Sequence, residues 1–287
     1  MKKLIITTII LLSISYVFSQ ESERNNASFS LGDGISFSFN EGDYEFNIYG
    51  FIKPTYIYND EKIYTADGEY SNVFRQFKSQ NSNLFFTGFA KDEKLSFTIQ
   101  MDYSSSNPLV EAFIGYHFNE KTTLYFGQMQ VNHNNLEMTH NEDRLRFTNR
   151  GILSQTYTEN GEEFGLFFET SFGKSIIFKP TLAITSGDGK NSFGDDSRDS
   201  DKGGVKFGSR INIFPFGDFS IGNRLSTVDL MHEDRPKVQI GFAYSKNMGA
   251  SNKVGDGHGD FILYDDSGDE LFPDYSQLFL DLNLKYK

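Results

Sequence analysis

Lys206 and Arg210 stand four positions apart, with Gly208 midway between them. Around them Val205, Phe207, Ile211 and Ile213 fall on the intervening positions. In an extended segment successive side chains point to opposite faces, so Lys206, Gly208 and Arg210 share one side. Two cations with nothing bulky between them would form a small anion-attracting patch. Lys179 and Lys237 take the same wet parity in neighbouring segments and join them as candidate solute contacts. A second constellation lies between residues 132 and 161, where Arg144, Arg146 and Arg150 adjoin Glu137, Glu142 and Asp143. Opposed charges across a constriction would set up a transverse field that sorts ions and orients dipolar solutes. The alternative for that stretch is a solvated surface loop of mixed charge.

Catalytic patterns are not met. His133 and His140 flank Glu137, but the H-E-x-x-H order of a zinc helix is missing. No G-x-S-x-G elbow occurs, and nothing singles out a Ser/His pair of the kind used by barrel lipases. The runs Asp195–Asp201 and Asp256–Asp260 are rich in carboxylates, yet neither completes the twelve-residue calcium loop with its closing Glu. The expectation is no metal, no cofactor and no catalysis.

The elements that must position these residues repeat with period two almost to the last residue. Leu95, Phe97, Ile99, Met101 and Tyr103 alternate with Ser96, Thr98, Gln100 and Asp102, and Val238, Ile240, Phe242 and Tyr244 repeat the pattern. The alternation predicts strands at roughly 43–58, 74–89, 94–103, 109–118, 122–131, 162–170, 175–185, 204–213, 235–245 and 275–287. Turns near 90–93, 119–121, 171–174 and 214–218 are short and carry Gly, Asn, Asp or Pro. The other connections, near 59–73, 104–108, 132–161, 186–203 and 246–274, are long in every case but the second. Short turns on one rim and long loops on the other describe an outer-membrane β-barrel. The segment 132–161 is then the third outer loop, the position from which a loop can narrow a channel.

The amino terminus reads as an export signal. Lys2 and Lys3 precede an apolar run from Leu4 to Val17, too short to span a bilayer comfortably, with a cleavage site after Ser19. Removing residues 1–19 leaves 25 basic residues (27 less Lys2 and Lys3) against 39 acidic, a net charge of −14. That balance argues against nucleic acid. The absence of cysteine removes disulfides and thiolate metal sites. Phe and Tyr supply all the aromatic residues, as the interfacial girdles of a barrel require. The domain reading is a signal peptide over 1–19, a polar lead-in over 20–42 and a barrel over 43–287.

Several segments, in order, resemble the phosphate-selective porin O and P family of Bacteroidetes-type outer membranes. They are Gly34–Phe37, Gly42–Gly50, Ala112–Tyr116, Phe126–Gln128, Ala183–Gly189, Phe214–Gly217 and Pro236–Gly241. The resemblance implies a homotrimer of sixteen-stranded barrels whose lumenal arginines and lysines favour anions such as phosphate. The chain departs from the family pattern at Phe51, where an arginine is common, and at Gln80-Asn81-Ser82-Asn83, where a basic cluster is common. It also ends on Leu284-Lys285-Tyr286-Lys287 without a terminal aromatic, and its ten or so strands fall short of sixteen, so a truncated barrel is expected. The functional expectation is passive diffusion of small hydrophilic solutes with an anion preference, through a protein set in the outer-membrane bilayer and its lipopolysaccharide. The rivals are an exported soluble β-sandwich that binds or adheres, and a barrel enzyme acting on lipids.

Overall fold

The computed structural model describes residues 26–90, 93–147, 149–158, 161–190, 205–250 and 263–287. The expected signal peptide and both acidic runs, Asp195–Asp201 and Asp256–Asp260, lie outside them. The strands are β1 (Asn26–Ser30), β2 (Gly34–Phe39), β3 (Tyr44–Gly50), β4 (Pro54–Thr65), β5 (Gly68–Ser79), β6 (Asn83–Ala90), β7 (Leu95–Asp102), β8 (Leu109–Asn119), β9 (Thr122–Gln130), β10 (Glu162–Thr170), β11 (Phe172–Gly173), β12 (Ile177–Thr185), β13 (Lys206–Phe214), β14 (Lys237–Asn247), β15 (Leu263–Tyr264), β16 (Glu270–Leu271) and β17 (Tyr275–Lys285). A short helix, α1 (Ile152–Tyr157), interrupts the longest described connection.

All ladders are antiparallel. The main sheet runs β1-β2-β3-β6-β7-β8-β9-β10-β12-β13-β14-β17, with β11 beside β12. Strands β1 and β17 stand at its two ends, and no ladder joins them among the described residues. The fold is therefore all-β and antiparallel as expected, but closure into a barrel is not seen. The sheet nevertheless curls: Tyr49 on β3 and Lys179, Asn212 and Gln239 on β12 to β14 line one cavity of 230 Å³. Pro180 fits within β12 because it falls where the β10 ladder ends, at Glu169–Thr181, and before the β11 ladder begins, at Phe172–Phe178.

The two faces have opposite polarity, in the sense inverse to a water-soluble protein. The concave face buries Gln100, Glu163, Arg210, Asn247, Asn283 and Lys285, with Arg210 only 3% and Lys285 2% exposed. On the convex face Leu182 is 57%, Leu278 79% and Leu280 71% exposed, alongside Ile114, Ile184, Phe207 and Phe242. Single exposed apolar residues are ordinary, but buried charge on one face against continuous exposed apolar side chains on the other is not.

Three segments differ from the sequence expectation. The stretch 20–42, expected as a polar lead-in with one weak strand pattern at Ile35, Phe37 and Phe39, carries two strands: β1 and β2 pair with each other and β2 with β3. Phe37 stacks within 6.4 Å of Phe39 and 6.1 Å of Phe46, which gives this edge its apolar side. The long strands expected at 43–58 and 74–89 break at 51–53 and 80–82, where Phe51 N–H donates to Asn83 O (2.9 Å) and Gln80 N–H to Lys53 O (3.2 Å). Beyond that break the expected loop 59–73 is a hairpin, β4 on β5, forming a sheet of its own. Finally, residues 215–236 are no short turn. They are knotted by Asn223, whose amide donates to Asp229 (2.8 Å) and Glu233 (2.8 Å) while its oxygen accepts from Leu230 and Met231 N–H.

Gly127 has φ +132° and lies so close to Ala112 O and Phe113 that a Cβ would overlap both. Gly127→Ala is expected to lower stability by about 1–3 kcal/mol, read as a lower denaturation midpoint by circular dichroism.

Candidate functional site

The site grows from the segment that joins β9 to β10. Val131 N–H donates to Gly161 O (2.8 Å) and closes its base. Asn135 then caps a 3-10 turn over Leu136–Thr139 by accepting from Met138 N–H (3.1 Å). Glu137 accepts from Gly151 N–H (2.7 Å) and Ser154 Oγ (2.5 Å), tying that turn to the start of α1. The loop does not stand out into solvent. It folds back over the concave face of the sheet.

Side chains of the wall hold it there. Arg210 Nη1 donates to Asn134 O (2.7 Å) and pairs with Asp281 (2.8 Å), and its Nε donates to Asn212 (2.8 Å). Asp281 in turn accepts from Leu136 N–H (3.0 Å). Gln277 on β17 donates to Tyr157 O (2.7 Å), and Gln130 donates to Met138 O. At the far end Thr227 N–H, in the 215–236 connection, donates to Arg144 O (2.9 Å). The loop therefore crosses the concavity from one rim to the connection closing the other.

This placement separates the charges that the sequence set together. His133 lies over Gly208, so close that a Cβ there would overlap its ring, and it stands between Lys206 and Arg210. Lys206 is buried against Glu163, which also accepts from Thr185. The open two-cation patch expected at Lys206 and Arg210 is thus replaced by two separate buried ion pairs. A cation removed from water must be compensated, and each found its own carboxylate. His133 Nε2 is 3.8 Å from Glu163, beyond hydrogen-bond reach, and burial pushes the imidazole below its ordinary range. Lys179 and Lys237, by contrast, are brought together: Lys179 pairs with Asp218 (2.7 Å), Lys237 donates to Asp218 O (2.8 Å), and Arg224 joins the same carboxylate (3.0 Å).

The loop charges are also largely spent at home. Arg150 donates to Glu137 O (2.5 Å) and His140 O (3.0 Å) and pairs with Glu142 (2.7 Å). Arg144 pairs with Asp143 (3.0 Å). Arg146 is exposed and lines a cavity of 790 Å³ between α1 and the edge strand β17. Among the described residues the loop arginines Arg144 and Arg150 therefore meet carboxylates of the loop itself. The loop partitions the concavity. On the side of the long connections lies a cavity of 350 Å³ lined by Asn83, Gln100, Asp102, Glu142, Arg150, Glu162 and Lys190. On the other side lies the 230 Å³ cavity with Arg144, Lys179, Asp218 and Arg224. No group of three or more His, Cys, Asp and Glu side chains is disposed to hold a metal among the described residues.

Sequence reasoning missed Glu163, which shares parity with Glu169 and could have been placed on the wet face by that signal. It also missed Asp218, in the expected turn 214–218, and Asn223 and Glu233, in the stretch 219–234 to which no element was assigned. No protein-family model matches the chain, and no curated protein matches it.

Asp281→Asn leaves the buried Arg210 uncompensated and is expected to cost about 3–5 kcal/mol in chemical denaturation, whereas Arg146→Ala should change stability by no more than about 0.5 kcal/mol. Burial alone would raise the Glu233 carboxyl, but hydrogen bonds from Asn223 and Ser220 outweigh it and hold the group below its usual range. A carboxylate depressed in the folded state contributes stability above its unfolded value and loses it on acidification. Limited pepsin cleavage near Leu225 and Leu230, normalised to an unstructured peptide, should therefore accelerate as the pH falls below about 4.5, and Glu233→Gln should abolish that pH dependence.

Proposed function

We propose that this chain forms the wall of an outer-membrane channel that passes small hydrophilic solutes by passive diffusion and does no catalysis. The observation that carries the reading is the inverted polarity of the curled sheet: charges and amides buried on the concave side, leucines and aromatics bare on the convex side. A surface of that kind matches hydrocarbon outside and water inside. The in-folded loop supports the same reading, since it narrows the concavity without filling it. Location in the outer membrane, reached through the amino-terminal signal, and contact with bilayer and lipopolysaccharide follow from it. A homotrimer and kinship with the phosphate-selective porin O and P family rest on the ordered segments that resemble that family.

Pairing of the inward-facing cations leaves little of the expected anion preference. Lys206 and Arg210 sit in ion pairs, and Lys179 shares Asp218 with Arg224. Cations neutralised in place contribute little to the field in the passage. The rival β-sandwich needs an apolar face covered by a second sheet. Among the described residues the other sheets are two-stranded hairpins, and the exposed leucines of β17 face no sheet.

Two measurements test the reading. Reconstitution of the full chain into planar bilayers should give discrete conductance steps, and protein that stays monodisperse without detergent and gives no steps would refute it. Leu182→Arg, on the convex face, should destabilise protein folded in vesicles by about 2–4 kcal/mol, as at a lipid-facing site near the midplane. At a water-facing site the same change costs no more than about 0.5 kcal/mol, and that result would favour the sandwich.

A further inference from the structure

The 350 Å³ cavity on the long-connection side of the loop is lined by side chains that no ion pair fully accounts for. Gln100 is 2% exposed; its amide donates to Asn83 (3.2 Å), but its Oε1 has no hydrogen-bond partner. A buried acceptor left without a donor costs about 1–3 kcal/mol, so the geometry calls for one. Asp102, Glu142 and Glu162 supply three carboxylates to the lining against two cations, Arg150 and Lys190. Arg150 is already committed to Glu142 and two loop carbonyls. The remaining balance is acceptor-rich and faintly negative, which repels an anion and suits hydroxyl donors. Val110 and Met138 add a small apolar surface to the same lining. The cavity opens into a wider space of 810 Å³, where Lys78 and Asn149 join the wall.

We propose that this compartment is a shallow subsite for a neutral polyhydroxylated solute, one or two sugar rings in size, with Gln100, Glu162 and Lys190 making the polar contacts. The proposal rests on the channel reading above and names the solute class that the passage favours. Amide and carboxylate acceptors receive ring hydroxyls, Lys190 donates to them, and Val110 with Met138 covers the C–H face of a ring. The volume falls at the small end of the about 300–1,000 Å³ range of small-molecule pockets. Affinity must be weak for transit, with a dissociation constant on the order of 1 mM.

The test is calorimetric titration of the detergent-solubilised full chain with glucose, maltose and inorganic phosphate, beside conductance measurements on the same preparation. The expected result is binding of at least one sugar, phosphate weaker than either, and about tenfold weaker sugar binding in Gln100→Ala. Glu162→Gln preserves shape and is the second variant: it should weaken the sugar severalfold and leave phosphate weak. Phosphate binding more tightly than the sugars, a gain of phosphate affinity alone in Glu162→Gln, or no heat from either sugar would overturn the proposal. Sugar binding unchanged in both variants would overturn it as well. Conductance steps without sugar binding would sink this inference and leave the channel standing, while sugar binding without steps would sink the channel reading alone.

Discussion

A guanidinium that has been taken out of water needs partners, and Arg210 finds them through Nε and Nη1 while its Nη2 stays without a hydrogen bond among the described residues. It is held by Asp281 from the edge strand, by Asn212 from its own strand and by the Asn134 carbonyl of the in-folded loop. One side chain thus fixes the spacing of β13 against β17 across β14 and the depth to which the loop descends. The loop buries Arg210, and Arg210 positions the loop. The Lys206–Glu163–Thr185 cluster repeats the logic two positions along the same face, with His133 wedged between the two. Coupled in this way, wall and loop form one polar core inside the concavity.

That core explains why an inward-facing cation is a poor guide to selectivity. Position on the wet face says that a charge is turned toward the concavity; whether it is felt there depends on what stands within a few ångströms of it. Lys179 faces inward and still spends its charge on Asp218. In the upper compartment the opposite holds: amides and surplus carboxylates remain when the pairs are subtracted. The chemical character of the concavity is set by what is left over, and pairings of that kind leave no trace in strand periodicity.

Much of the sheet was legible because its strands carry one buried polar face and one exposed apolar face, so alternation had to be kept. Segments such as 95–102, 162–170 and 275–285 lie within a residue or two of their expected bounds for that reason. Where both faces are exposed the constraint lapses, and so did the reading. Strands β4 and β5 form a hairpin of their own, with exposed residues such as Tyr64 and Tyr70 on a surface where nothing enforces alternation, and its outer half, 59–73, was taken for loop. The connection 215–236 was misjudged for a different cause: its order comes from one buried asparagine satisfying carboxylates and backbone at once. The candidate cations were found by residue type and parity. Their neutralisation depends on carboxylates distant in sequence: Asp218 for Lys179, 39 positions away, and Glu163 for Lys206, 43 positions away, with Asp281 serving Arg210.

The way the loop is fastened has a consequence for how such a protein can change. Arg210, Asp281, Gln277 and Gln130 grip the backbone of the loop, at Asn134 O, Leu136 N, Tyr157 O and Met138 O. Backbone atoms are common to all residue types, so substitutions among the loop's outward side chains leave these fastenings intact. The wall works as a frame, and the loop as an insert whose lining can drift while its path is conserved. Such substitutions would change the lining of the cavities on either side of the loop without loosening its attachment.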